Sequence, residues 1–271
     1  MKPIFVAIFL ALSAAPPAHV MFHYPRWSPD GKWLVFTTNI DGDDEVWVMS
    51  RDGSEKRRLT DNAVADANAD WHPDGRRIVF QREAQGRIEH LVINLDGSSP
   101  GKYDPTASRP PRTLVVEERR TQNGQAVFIS KSGAPGWRIS HTAWAEQPSV
   151  SPDGTAVVFE QCQQPNDILS SEIAVWDLRN ESVRPIARGT DPSWAPDSTS
   201  VLFKTPRGGD LVVALADLKT GAVRVIAPGV HPQFSPDGRW IAFMSNDSDR
   251  ADIYVIGADG KGRACLTCDW K

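Results

Sequence analysis

The chain has 271 residues, with 10 Trp, 21 Pro, 20 Gly and 3 Cys, 24% charged residues and a formal net charge of −4. A chain of this length buries a full core, which excludes a disulfide mini-scaffold and a polar disordered polymer. Its 30 basic and 34 acidic residues are scattered with no long block of one sign, which excludes a nucleic-acid-binding protein, because that affinity comes from clustered Lys and Arg.

The N-terminus reads Met1-Lys2-Pro3, then an apolar run from Ile4 to Leu12, then small residues from Ser13 to Ala18. One positive charge, a short apolar stretch and a small-residue tail have the layout of a secretory signal, and the run is too short to span a hydrocarbon core of about 30 Å. Residues 1–18 are expected to be a signal peptide, so the mature chain is expected in the periplasm or outside the cell, without membrane insertion. A translation start at Met21 would leave it cytoplasmic.

The tetrapeptide Ser28-Pro29-Asp30-Gly31 recurs as His72-Pro73-Asp74-Gly75, Ser151-Pro152-Asp153-Gly154, Ala195-Pro196-Asp197-Ser198 and Ser235-Pro236-Asp237-Gly238. The prolines are 44, 79, 44 and 40 residues apart, and Pro110 divides the long gap, so six units of about 41 residues result. In each unit a first segment ends in Trp27, Trp71, Val150, Trp194 or Phe234 and leads into the Pro-Asp-Gly turn. Pro presets φ and Asp-Gly supplies a tight reversal, so a hairpin follows.

The next strand ends in Phe36, Phe80, Phe159, Phe203 or Phe243, and a third begins near Glu45, Glu89, Glu172, Leu211 or Asp252. A second Gly turn introduces a fourth strand, as in Lys56 to Thr60 and Arg263 to Thr267. The degenerate third unit takes Gln125 to Ser130 as its third strand and Trp137 to Ser140 as its fourth. Four short strands per unit without helical periodicity predict an all-β, six-bladed propeller, with blades at residues 23–66, 67–104, 105–145, 146–189, 190–229 and 230–271.

Pro25-Arg26-Trp27-Ser28-Pro29-Asp30-Gly31, Asp252-Ile253-Tyr254-Val255 and Arg58-Leu59-Thr60 resemble the TolB-like propeller repeat, and the resemblance extends over residues 23–268. It implies the propeller fold and an envelope location. Nothing before His23 could form the α/β domain that precedes the propeller in TolB, so the resemblance transfers no functional residues. Related propellers serve as gating domains of peptidases and as the body of polysaccharide lyases. Trp176-Asp177 offers the Trp-Asp pair of WD repeats, but once only.

First strands line a propeller's channel. One and three places before each first-strand terminus stand Arg26 and Tyr24, Asp70 and Asn68, Ser149 and Gln147, Ser193 and Asp191, and Gln233 and His231. These alternate positions are expected to share one strand face and converge at a channel mouth. The candidate ligand or partner site is therefore Tyr24, Arg26, Asn68, Asp70, Gln147, Asp191, His231 and Gln233.

Gly97-Ser98-Ser99-Pro100-Gly101 is a literal G-x-S-x-G, but it falls in a turn and lacks the strand-to-helix context of a nucleophile elbow. The acidic stretches Asp41 to Glu45 and Asp247 to Asp252 lack EF-hand spacing and read as hydrated hairpin loops. Cys265 and Cys268 form a lone C-x-x-C, read as free or loosely bridged thiols; a bridge requires the chain to turn after Leu266. The expected role is a non-catalytic, monomeric binding scaffold for an envelope protein or glycan, without cofactor or metal. The alternatives are a lyase or hydrolase acting through His231, Asp191 and Tyr24, and a WD-type scaffold.

Overall fold

The computed structural model describes residues 20–104, 114–122, 124–131, 136–164, 167, 169–245, 247 and 250–270. The expected signal peptide, Pro110 and the first hairpin of the third unit lie outside the described residues. Every regular element among the described residues is a β-strand.

The Pro-Asp-Gly segment closes the first hairpin of its unit as the sequence predicts. Gly31 N–H donates to Ser28 O at 2.9 Å. The Ser28 hydroxyl donates to Asp30 at 2.6 Å and accepts from Trp33 N–H at 2.9 Å. Ser151 with Asp153, and Ser235 with Asp237, repeat these bonds. Gly31 sits at φ 68°, a left-handed conformation that a side chain would strain.

Four antiparallel four-stranded sheets follow the order of the chain. They are β1 (Phe22–Trp27), β2 (Trp33–Thr38), β3 (Glu45–Ser50) and β4 (Lys56–Arg58); then β5 (Asp66–Trp71), β6 (Arg77–Ala84), β7 (Arg87–Asn94) and β8 (Gly101–Lys102). Between these and the last two sheets, β9 (Leu114–Thr121), β10 (Gly124–Lys131) and β11 (Trp137–Arg138) join β12 (Trp144–Val150), β13 (Ala156–Cys162), β14 (Glu172–Asp177) and β15 (Ser182–Arg188) in one seven-stranded sheet. A single parallel pairing, Gln125 with Trp144, makes that connection. The last two sheets are β16 (Thr190–Trp194), β17 (Ser200–Arg207), β18 (Asp210–Asp217) and β19 (Val223–Pro228), and β20 (Val230–Phe234), β21 (Trp240–Ser245), β22 (Asp252–Gly257) and β23 (Ala264–Cys265).

The fourth strands of the first and last sheets stop short of the predicted Leu-Thr. Leu59 and Leu266 turn into the core, and the following hydroxyl replaces a ladder bond. Thr60 Oγ1 accepts from Val46 N–H at 2.9 Å and donates to Glu45, while Thr267 does the same with Ile253 and Asp252. The repeated acid and the repeated Thr thus form one latch between the third and fourth strands.

The core lies between the faces of neighbouring sheets. Phe36 and Leu34 pack with Val255, Leu266 and Trp270; Val35 and Val48 with Ile78 and Phe80; Val158 and Ile173 with Val201 and Phe203; Leu202 and Val213 with Ile241 and Phe243. Three indoles fasten the first strands to one another. Trp71 Nε1 donates to Arg26 O at 3.1 Å, Trp194 Nε1 to Ser149 O at 2.9 Å, and Trp27 Nε1 to Gln233 O at 3.2 Å. The last of these joins residues 206 apart in the chain, and β20 is in contact with β1.

Cys265 and Cys268 are joined as a disulfide with Cα atoms 5.8 Å apart. Of the two readings the sequence left open, free or bridged thiols, the structure has the bridge, under the condition set for it. The chain bends after Leu266, so the bond closes a turn rather than an extended strand. Cys162 is free and buried, with its thiol donating to Gln164 O at 2.8 Å. Beyond the bridge, Trp270 packs against Phe22, Phe36 and Trp47.

Replacing Trp27 by Phe keeps the ring but leaves Gln233 O without its donor, and is expected to cost about 1–3 kcal/mol in a urea unfolding titration. Alkylation in denaturant without reductant is expected to modify Cys162 alone, and all three cysteines after reduction, as read by intact mass.

Candidate functional site

Among the described residues, the five first strands that lead into a Pro-Asp turn are each interrupted at the same place. The pairing register of β1 with β2 breaks between His23 and Arg26, and the equivalent breaks fall between Ala67 and Asp70, Glu146 and Ser149, Thr190 and Ser193, and Val230 and Gln233. Within each break one residue is left-handed: Tyr24 at φ 49°, Asn68 at 53°, Gln147 at 53°, Asp191 at 55° and His231 at 52°. Five non-glycine residues in this region at one structural position form a repeated β-bulge that re-aims a side chain. The two residues of each candidate pair therefore do not alternate along one flat strand face, as the sequence reading supposed. The bulge brings both inward.

Four of the five left-handed residues precede proline: Pro25, Pro148, Pro192 and Pro232, with Ala69 as the exception. Proline has no N–H to leave unpaired where the ladder is broken. At three of the five positions the displaced N–H of the left-handed residue is met by a side chain from another unit. Asp191 N–H donates to Glu160 at 3.1 Å, Gln147 N–H to Glu118 at 2.7 Å, and Tyr24 N–H to the Met244 sulfur at 3.4 Å.

All eight predicted residues line one cavity of about 720 Å³, together with Ser149, Ser193, Trp194, three of these prolines and the turn residue Pro152. Its outer rim is internally bonded. The Tyr24 ring meets His231 edge-on at 4.5 Å, and His231 Nδ1 lies 2.9 Å from Asp191 Oδ2. Lys204 Nζ lies 2.9 Å from the same oxygen, and Gln147 Nε2 donates to Asp191 Oδ1 at 3.1 Å. Asn68 instead donates to Gln81 at 2.8 Å.

Burial by itself would raise the Asp191 carboxyl, but His231 and Lys204 outweigh it and hold the group well below the usual carboxylate range. Asp70 is solvent-accessible yet crowded by the cavity walls; that crowding raises its carboxyl, against an opposing pull from Arg26 and the Trp71 N–H. Behind the rim, burial pushes Glu160 up to about 7, helped by the charges of Glu146 and Asp191 and opposed by the Asp191 N–H.

Sequence reasoning missed Glu160 and Lys204. Both directly follow a strand-ending Phe, at Phe159 and Phe203, where a buried strand would continue apolar, and that polar interruption is the signal. The acidic loop Asp41 to Glu45 is neutralised internally rather than by hydration alone. Arg58 lies 3.3 Å from Asp41, 3.2 Å from Glu45 and 2.9 Å from Asp61. The G-x-S-x-G segment is a turn between β7 and β8, with the Ser98 hydroxyl donating to Asp96 at 2.6 Å.

Among the described residues, the clustered His, Cys, Asp and Glu atoms at metal-binding spacing are those of Asp252, Cys265 and Cys268. The two sulfurs are bonded to each other, and Asp252 is held by Arg250 and Thr267, so this group does not suit an ion. At the cavity wall, Lys204 already pairs with the Asp191 carboxylate that His231 faces.

A family model for the TolB beta propeller domain matches residues 15–175, and the chain belongs to that family. TolB from Acinetobacter baumannii superposes with a TM-score of 0.60 at 16% identity, over 92% of this chain and 63% of that one. An oligogalacturonate lyase in complex with manganese superposes with a TM-score of 0.50 at 15% identity, over 93% and 79%. The uncharacterized peptidase YuxL of Bacillus subtilis is 50% identical over 38 residues, which are 14% of this chain and 6% of that protein. At these identities the superpositions show the fold alone. The chain covers less than two thirds of the Acinetobacter TolB and matches a small part of the peptidase. No helix among the described residues is long and apolar enough to cross a membrane.

The raised Glu160 carboxyl means that the folded chain keeps a proton that the unfolded chain releases near 4.5. Stability is therefore expected to fall as pH rises from about 4.5 to about 7 and to level off above, a direction opposite to that of a salt-bridged carboxylate. Glu160→Gln is expected to remove that fall, as measured by urea midpoints at about pH 5 and about pH 8.

Proposed function

We propose that this chain is an exported, monomeric six-bladed propeller whose ring closes between the first and last units, and that it acts as a non-catalytic binding scaffold in the cell envelope. Its site is the cavity mouth, which takes a segment of an envelope protein or a polar glycan. The carrying observation is the convergence of Tyr24, Arg26, Asn68, Asp70, Gln147, Asp191, His231 and Gln233 on one cavity through five repeated bulges. Backbone strain of about 1–3 kcal/mol per left-handed residue is tolerated where function needs a side chain re-aimed. The indole bond from Trp27 to Gln233 supports ring closure, because it has the same form as the bonds between sequential units.

Binding is favoured over catalysis by the state of the cavity's own groups. Asp191 is held ionised by two partners, which makes it a poor proton acceptor near neutral pH. His231 is committed to Asp191, and among the described residues no cysteine lines the cavity. The serines of the cavity, Ser149 and Ser193, have no hydrogen-bonded histidine beside them among the described residues. Lyase or hydrolase activity is the second reading, resting on the fold shared with an oligogalacturonate lyase and on a short stretch similar to an uncharacterized peptidase. The WD-type reading rests on Trp176-Asp177 alone, and Trp176 is a buried core residue.

A triple variant Tyr24→Ala, Asp191→Asn, His231→Ala that retains its strand circular dichroism is expected to lose the partner captured from envelope extract by the parent protein, by about tenfold or more. Equal capture by the two proteins contradicts a site at the mouth.

A further inference from the structure

Resting on the mouth as the binding site, we infer that its inner tier recognises a carboxylate group of the ligand, with Arg26 as the pairing residue. The cavity has two tiers that differ in how their polar groups are used. The outer tier is the chain of contacts Tyr24 to His231 to Asp191 to Gln147, and Gln147 in turn reaches Glu118 through its N–H. Those groups are satisfied by one another.

The inner tier, named for its place along the strand and not for depth, stands one place before each first-strand terminus, two residues past the outer one, and consists of Arg26, Asp70, Ser149, Ser193 and Gln233. Among the described residues, the side chains of Arg26, Ser149, Ser193 and Gln233 make no hydrogen bond or ion pair. Asp70 accepts from Trp71 N–H at 2.7 Å and feels the charge of Arg26 without closing a pair with it.

The inner tier is therefore rich in donors. A guanidinium carries five N–H groups, and two hydroxyls and one amide add to them, against a single carboxylate. Arg26 is half-buried in a concave wall, where its attraction for an anion is less screened than at an open surface. The planar fork of a guanidinium matches a planar carboxylate in bidentate fashion. Asp70 beside Arg26 opposes a dianion such as phosphate more strongly than a single negative charge, so a monoanion fits best. The backbone supports the position, since Arg26 O is fixed by Trp71 Nε1 at 3.1 Å.

The indoles of Trp27 and Trp71 donate to Gln233 O and Arg26 O, so their N–H resonances report directly on this tier. Titrations followed by these two signals would use acetate, acetyl-trialanine with a free C-terminus, and the same peptide as its C-terminal amide, all at constant ionic strength. Both acids are expected to shift the signals saturably, with the amide weaker by about tenfold or more, and Arg26→Gln is expected to remove the acid response by a similar factor. The peptide acid binding about tenfold tighter than acetate assigns the group to a chain terminus, and equal affinities assign it to a small acid. Equal response to acid and amide overturns the inference, as does an acid response that survives in Arg26→Gln, or the absence of any saturable shift. Should Arg26→Gln fail to fold, the acid-against-amide comparison in the parent protein decides alone. An overturned inner tier with rim-dependent capture intact leaves the mouth reading standing, whereas loss of both removes both.

Discussion

A left-handed residue three places before the end of each first strand is the constraint on which the remaining architecture of the site depends. It breaks the ladder for two residues, turns one polar side chain toward the cavity, and leaves an N–H that at Tyr24, Gln147 and Asp191 a side chain of another unit satisfies. The same interruption sets the carbonyl before the strand terminus where the next unit's indole reaches it. Strain, inter-unit bonding and the lining of the cavity are consequences of one backbone feature.

The electrostatics follow from that geometry. Asp191 could not remain charged at its depth without two partners, and the bulge places it between Lys204 on its own sheet and His231 on the next. Pairing uses up the reactive potential of both titratable groups on the rim, and what remains open is a set of donors one step further in. This is the ground for proposing recognition of a polar group rather than proton transfer. Glu160 bears the cost of the arrangement: its carboxyl accepts the displaced Asp191 N–H but lies buried near two other acids, which drives it toward the protonated form.

Much of this was legible in the sequence because the repeat multiplies each signal. The Pro-Asp-Gly turn and the strand-ending Phe each appear several times and the Leu-Thr closure twice, so periodicity revealed the strand order and the family resemblance without any single strong motif. The positions of Tyr24, Asp191 and His231 were found by counting back from the terminal aromatic. Their left-handed conformation was not, because a bulge depends on the register with the adjacent strand, although the prolines after four of the five residues mark it. The disulfide was left undecided for a similar reason. A C-x-x-C on an extended strand cannot close, and the bend after Leu266 arises from the Thr267 latch to Asp252, which spans the third and fourth strands.

The account places residues from both ends of the propeller around one mouth, which requires the first and last units to be joined as firmly as sequential ones. Hydrogen exchange of the indole N–H groups tests this directly, because Trp27 bonds across the proposed closure while Trp71 and Trp194 bond across sequential units. Trp27 protected to the same degree as Trp71 and Trp194 is the predicted result. Trp27 exchanging at the rate of a free indole, with the other two protected, would contradict it.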